Sequence, residues 1–215
     1  MTRADRPLTG SSAVTKPPIR NIANVLTLLR IAGVPILVLV LVLADQSSAP
    51  ASWILRIVGM LVFVAASITD LIDGRIARSR GLETDFGRIA DPIADKTLIG
   101  AALVFLSAAG EVPWWITVVI MVREVGVTVV RLAIVRRRVV PAGSWGKTKT
   151  VFQVVAVSML IVAPVPQTWG LPSGAVTAWW ALCWVALALA LVLTVVTGIE
   201  ILARILAPPA KPKGG

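Results

Sequence analysis

Histidine and tyrosine are absent from the 215 residues, and cysteine occurs once, at Cys183. Without histidine there is no phosphohistidine intermediate, no imidazole metal ligand and no Ser-His triad. Any general base is therefore a carboxylate or a lysine. One cysteine excludes an intrachain disulfide, and Cys183 reads as a small buried filler rather than a nucleophile. Charge is scarce too, 15% of residues against 57% hydrophobic. That balance describes an integral membrane protein, not a soluble domain. Period-2 alternation and internal repeats are both missing, so nothing supports a β-barrel.

What is present is apolar and comes in long runs. Six of them, at residues 25–43, 53–72, 92–109, 114–135, 150–165 and 178–206, are long enough to cross a bilayer. An all-α, polytopic bundle of six transmembrane helices is expected, because the alternative in lipid is a closed barrel. The last run is long enough to tilt or to project from the membrane. Residues 1–12 read as a disordered tail without a signal-peptide pattern. A short interfacial helix is expected near 13–23, within a catalytic domain of residues 13–207, and 208–215 form a second tail. Trp53, Trp114, Trp115, Trp169, Trp179 and Trp180 fall near span boundaries and suggest an interfacial belt.

Lysine and arginine are unevenly distributed. Lys16 and Arg20 precede the first span, and four arginines (Arg75, Arg78, Arg80, Arg88) lie between the second and third. Arg136, Arg137, Arg138, Lys147 and Lys149 lie between the fourth and fifth, and Lys211 and Lys213 end the chain. The other connections hold Asp45 and Glu111, with Arg56 an exception just inside the second span. The positive-inside rule then places both termini and the second-to-third connection in the cytoplasm. A net charge of +10 spread along one membrane face points to anionic lipid and phosphorylated substrates rather than nucleic acid. The arginine run 136–138 reads as a lipid-headgroup stripe.

The chemistry concentrates between Asp70 and Asp95. Asp70 and Asp73 are three residues apart, Asp91 and Asp95 four, so each pair shares one helix face. Gly81 and Gly87 allow a turn that would let the pairs face each other. Carboxylates near a bilayer are costly unless they serve a function. Four together repel unless a cation sits among them, and an all-oxygen set suits Mg²⁺ or Mn²⁺. The alternative is a set of salt bridges to the local arginines on a solvated loop. Glu83 and Asp85 fit no ligand spacing and read as solvated turn residues.

The full pattern, D-x2-D-G-x2-A-R-x8-G-x3-D-x3-D, resembles the signature of the CDP-alcohol phosphatidyltransferase family, and every fixed position is satisfied. The resemblance implies a membrane enzyme that moves a phosphatidyl group from a CDP-linked lipid to an alcohol and releases CMP. It implies that Asp70, Asp73, Asp91 and Asp95 hold divalent metal, Mg²⁺ or Mn²⁺ and two ions by expectation. Asp70, Asp73, Gly74, Ala77, Arg78 and Gly87 would then bind the nucleotide end of CDP-diacylglycerol, and Asp95 would be the general base. The absence of histidine also closes the phospholipase-D-type route to similar lipids. A homodimer in the bacterial cytoplasmic membrane is implied as well.

The flanking residues resemble the branch of that family whose acceptor is glycerol 3-phosphate. They are D-P-I-A-D-K at residues 91–96, N-I-A-N-V-L-T-L-L-R at 21–30, Arg123-Glu124 with Arg131, and G-K-T-K-T at 146–150 followed by Gln153. The sixth span carries none of this resemblance. An acceptor phosphate needs cations near the metals, and Arg123, Arg131, Lys147 and Lys149 are the candidates. Arg123 would otherwise pair with Glu124 or a carbonyl, and the lysines would be ordinary membrane flanks. Asn24, Thr27 and Arg30 are equally readable as site contacts or as a structural cap. The expected product is phosphatidylglycerophosphate. The rivals are phosphatidylglycerol or inositol phosphate as acceptor, and, from another class, a non-catalytic divalent-cation carrier.

Overall fold

In a computed structural model, the backbone is described for residues 22–80, 85–135 and 145–206, and side chains for residues 29, 31–69, 96–130 and 148–203. All regular structure there is helical. The chain runs through α1 (Ile22–Gln46), α2 (Ala51–Arg80), α3 (Asp85–Ala108), α4 (Trp114–Val135), α5 (Trp145–Ile161), a single turn α6 (Val165–Thr168) and α7 (Ser173–Leu206). Each of the six apolar runs corresponds to one long helix, although the fifth, 150–165, outlasts α5 and reaches the single turn α6. By length and composition, three stretches among the described residues suffice to cross a membrane: Ala51–Thr69, Thr148–Thr168 and Ser173–Ala203. Shorter apolar stretches occupy Ile31–Gln46 and Lys96–Ala108. The tail 1–12, nearly all of the interfacial helix near 13–23, the arginine run 136–138 and the tail 208–215 lie outside the described residues.

At the α2–α3 connection the helix limits depart from the apolar runs in one way: helices continue where the run becomes polar. The second run stops at residue 72, yet α2 continues to Arg80. The third begins at residue 92, yet α3 starts at Asp85. Backbone hydrogen bonding does not require an apolar side chain, so a polar helical turn continues an apolar one at no backbone cost. Two expectations are corrected here. Gly87 and Asp85 were read as part of the connecting turn, but both belong to α3, and the linker shrinks to residues 81–84. An acidic residue at a helix start is favoured by the helix dipole.

Helices α1, α2 and α3 pack together, α5 packs on α7, and α3 and α4 join the two groups. The seam is lined by Leu37, Leu41, Phe63, Leu103, Leu160 and Leu187, all buried. Cys183 is fully buried among them, the filler its isolation suggested. The outward surface is apolar as well; Leu29, Val122 and Ile199 are each more than 60% exposed, as lipid contact requires.

One end of the bundle is closed by polar contacts. Helix α3 stops at Gly110, whose φ of +76° lets the chain reverse, with Glu111 N–H returning to the Leu106 carbonyl at 2.9 Å. That reversal delivers Glu111 to Arg56. The Arg56 guanidinium donates to Glu111 at 2.5 and 3.2 Å and to the Ile161 carbonyl at 3.1 Å, with Asp45 at 3.9 Å. Arg56, the exception in the charge distribution, is thus neutralised in place. Burial holds the Glu111 carboxyl above its ordinary range, although Arg56 pulls it down. Trp53 packs edge-on against Trp169 at 5.9 Å, and Trp114 and Trp115 are exposed. Trp179 and Trp180 are half-buried and pack against the core.

Candidate functional site

The opposite end carries the carboxylates. Asp70, Asp73, Gly74, Ala77 and Arg78 lie on the last part of α2, and Gly87, Asp91 and Asp95 on the first part of α3. Only residues 81–84 separate the two helices, so these segments are adjacent in the chain. The i,i+3 and i,i+4 spacings therefore hold on real helices. The side chains of all eight residues lie outside the described set, as do those of Arg131, Lys147, Asn24, Thr27 and Arg30. As a donor set, four carboxylates on two consecutive helices fit a hard divalent cation and offer nothing to a soft one.

Toward the middle of the bundle, polar side chains from three helices meet at one carboxylate, and a fourth helix reaches them through their partners. Glu124 of α4 is 3% exposed and surrounded by donors. Its Oε2 accepts from Lys96 Nζ of α3 at 2.9 Å. Its Oε1 accepts from Arg123 Nη1 at 3.0 Å and from Lys149 Nζ of α5. Gln153 Nε2, one turn beyond Lys149, lies 3.5 Å from the same oxygen. Lys149 and Gln153 are themselves buried.

Helix α7 completes the cluster with two threonines one turn apart. Thr197 gives its hydroxyl proton to the Leu193 carbonyl at 2.6 Å and so accepts from Arg123 Nη2, also at 2.6 Å. Thr194 gives its proton to the Ala190 carbonyl at 2.6 Å, which leaves its oxygen to accept from Gln153 Nε2 at 3.0 Å. That assignment fixes the Gln153 amide: its nitrogen faces Glu124 and Thr194, and its Oε1 is buried without a partner among the described residues. Arg123 Nε is likewise unpartnered and lies against Gly198, where an added Cβ would stand 3.0 Å from both Arg123 Cγ and Nε. Gly198 is the space the arginine occupies.

Of the four expected phosphate-binding cations, Arg123 and Lys149 thus meet at Glu124. The alternative reading of Arg123, a pair with Glu124, is present too; the pairing and the cluster are one arrangement. Sequence reasoning noted Glu124 and Gln153 as resemblances only, and Lys96 as the final letter of a hexapeptide. Thr194, Thr197 and Gly198 it missed, because they belong to the sixth span. The available signal was two threonines at i,i+3 followed by a glycine within a 34-residue apolar helix.

Residues 20–202 match the family profile described as CDP-alcohol phosphatidyltransferase. The chain is 45% identical over 201 residues to a protein of Mycobacterium tuberculosis named probable phosphatidylglycerophosphate synthase, covering 94% of this chain and 88% of that one. It is 37% identical over 158 residues to the CDP-diacylglycerol–glycerol-3-phosphate 3-phosphatidyltransferase of Bacillus subtilis, covering 68% and 79%. A protein of the same name from Rickettsia bellii is 40% identical over 144 residues, 66% of this chain and 75% of its own.

Proposed function

This chain belongs to the CDP-alcohol phosphatidyltransferase family, and from that premise we propose that it transfers the phosphatidyl group of CDP-diacylglycerol to glycerol 3-phosphate, giving phosphatidylglycerophosphate and CMP. The observation that carries the choice of acceptor is the Glu124 cluster. Lys96, adjacent in sequence to Asp95, pairs with the same carboxylate that holds Arg123 and Lys149. Cations suited to a phosphate therefore lie next to the helix that carries the last aspartate of the motif. A cation carrier needs no such cluster.

Asp70, Asp73, Asp91 and Asp95 would hold one or two Mg²⁺ or Mn²⁺ ions. Bound there, the metal supplies positive charge to the pyrophosphate of the donor. Gly74 and Ala77 leave room for the nucleotide, Gly87 permits the same on the facing helix, and Arg78 binds a phosphate. Arg123 and Lys149, with Arg131 and Lys147, hold the phosphate of glycerol 3-phosphate. Asp95 accepts the proton of the attacking hydroxyl. The new O–P bond forms to the β-side phosphorus of the lipid as the bond to CMP breaks, and no covalent enzyme intermediate is needed. The catalytic end and both termini face the cytoplasm, six helices span the bacterial cytoplasmic membrane, and the working form is a homodimer.

Purified protein in detergent, given CDP-diacylglycerol and labelled glycerol 3-phosphate, should release CMP and label phosphatidylglycerophosphate in a Mg²⁺- or Mn²⁺-dependent way. Cardiolipin formed from phosphatidylglycerol, without incorporation of glycerol 3-phosphate, would assign another acceptor.

A further inference from the structure

Arg123 and Lys149 carry long, flexible side chains, yet a phosphate pocket requires their donors to be fixed relative to one another. Ordering such side chains costs rotamer entropy that the binding step would otherwise bear. Glu124 is where that ordering occurs. It sits between the two cations, touches no lipid-facing surface, and anchors a third cation on α3. Its oxygens accept from Lys96, Arg123 and Lys149, and through Arg123 and Gln153 the array reaches Thr197 and Thr194 of α7. The array is not saturated. Among the described residues each Arg123 Nη spends one of its two hydrogens, on Glu124 or Thr197, and Lys149 spends one of three ammonium hydrogens on Glu124.

We propose that Glu124 is a positioning residue for acceptor recognition: it holds Arg123 and Lys149 in one fixed array, whose remaining donors bind the phosphate of the acceptor alcohol. This rests on the acceptor reading above and adds to it the residue that sets the pocket's shape. The carboxylate competes with phosphate for the same cations, so the physical question is one of sign. If alignment dominates, losing Glu124 weakens acceptor binding. If competition dominates, losing it strengthens binding. Pre-alignment wins when the donors that bind ligand are different from those already used, and the second hydrogens of Arg123 Nη1 and Nη2, beyond those given to Glu124 and Thr197, are such donors.

The test is a steady-state comparison of wild type with Glu124→Gln and Glu124→Asp, both substrates varied independently. Glu124→Gln should raise the KM for glycerol 3-phosphate at least tenfold and change the KM for CDP-diacylglycerol by less than about threefold. Glu124→Asp, which keeps the charge, should recover part of the acceptor affinity. An unchanged or lowered acceptor KM, or equal rises for both substrates, would overturn the positioning role. A buried carboxylate among cations is a hazardous one to neutralise, so Thr197→Val is measured alongside. It preserves every charge and removes only the second anchor of Arg123. An acceptor-specific rise of about three- to tenfold is expected there, and a flat KM counts against the proposal even if Glu124→Gln does not fold. A wild type that ignores glycerol 3-phosphate would bring down the functional reading. A wild type that uses it, with both variants flat, would bring down the positioning role alone.

Discussion

A carboxylate that shares a site with others serves either as ligand or as base, and Asp95 is the residue to which the proposed function gives both duties. It ends the motif and directly precedes Lys96, which is fixed to Glu124. Asp95→Asn is expected to reduce turnover by at least about 10²–10⁴-fold, the usual weight of a general base, while donor binding persists on the other three carboxylates. A radiolabelled CDP-diacylglycerol binding assay beside the turnover assay would check both halves; more than about a tenth of wild-type rate would remove Asp95 from the base role. Gly198 offers a test from the other side of the cluster. A methyl group there meets Arg123 at 3.0 Å, tighter than ordinary van der Waals contact, so Gly198→Ala should displace the guanidinium and raise the acceptor KM several-fold. The cations of this cluster were legible in the sequence because charge inside an apolar run is conspicuous. Their counter-charge was harder to interpret, since Glu124 follows Arg123 immediately and looked like a local partner. That it also serves Lys96 and Lys149 depends on three helices converging, which spacing along one helix does not encode.

At the scale of helices, the two ends of the bundle are stabilised differently. The closed end depends on Arg56, which ties α2 to the α3–α4 turn and to the last residue of α5. Arg56→Met should leave Glu111 buried without its cation, and breaking such a pair costs about 3–5 kcal/mol. The loss should depend on pH. Burial raises the Glu111 carboxyl above its ordinary range in the folded protein, so between the unfolded and folded pKa the native state binds more protons. Stability then falls as pH rises through that window. Wild type should show a shallow form of this slope, because Arg56 opposes the effect of burial. Arg56→Met should show a steep one, melting closer to wild type near pH 5 than near pH 8 in detergent; a larger deficit at pH 5 would contradict the account. The existence of six long helices was readable from apolar runs. Their polar extensions were not, because charged residues such as Asp73 and Arg78 break a hydropathy pattern without breaking a helix. Those extensions are where the carboxylates lie.

For the whole molecule, the distribution of charge defines two faces with different partners. One end has Arg56 neutralised and tryptophan exposed; the motif segments of α2 and α3 lie toward the other, to which the positive-inside rule assigns most of the lysine and arginine. Cys183 is fully buried, which leaves an almost silent background for thiol labelling. Ser173, exposed at the start of α7, should as cysteine react with a membrane-impermeant maleimide in intact cells. A cysteine at Lys213 should react only after permeabilisation. The reverse pattern would invert the topology proposed from the positive-inside rule.

The joining of four helices around Glu124 has a thermodynamic corollary. Because α3, α4, α5 and α7 are joined through the groups proposed to bind the acceptor, occupying that pocket and holding the bundle together would be linked equilibria. A ligand that binds only the assembled form stabilises it by RT ln(1 + [L]/Kd), about 2.7 kcal/mol at a hundredfold excess over Kd. Glycerol 3-phosphate should therefore raise the melting temperature of the detergent-solubilised protein in a concentration-dependent way, before any donor lipid is added. Glycerol, which brings no charge to those cations, should produce almost no shift at the same concentrations.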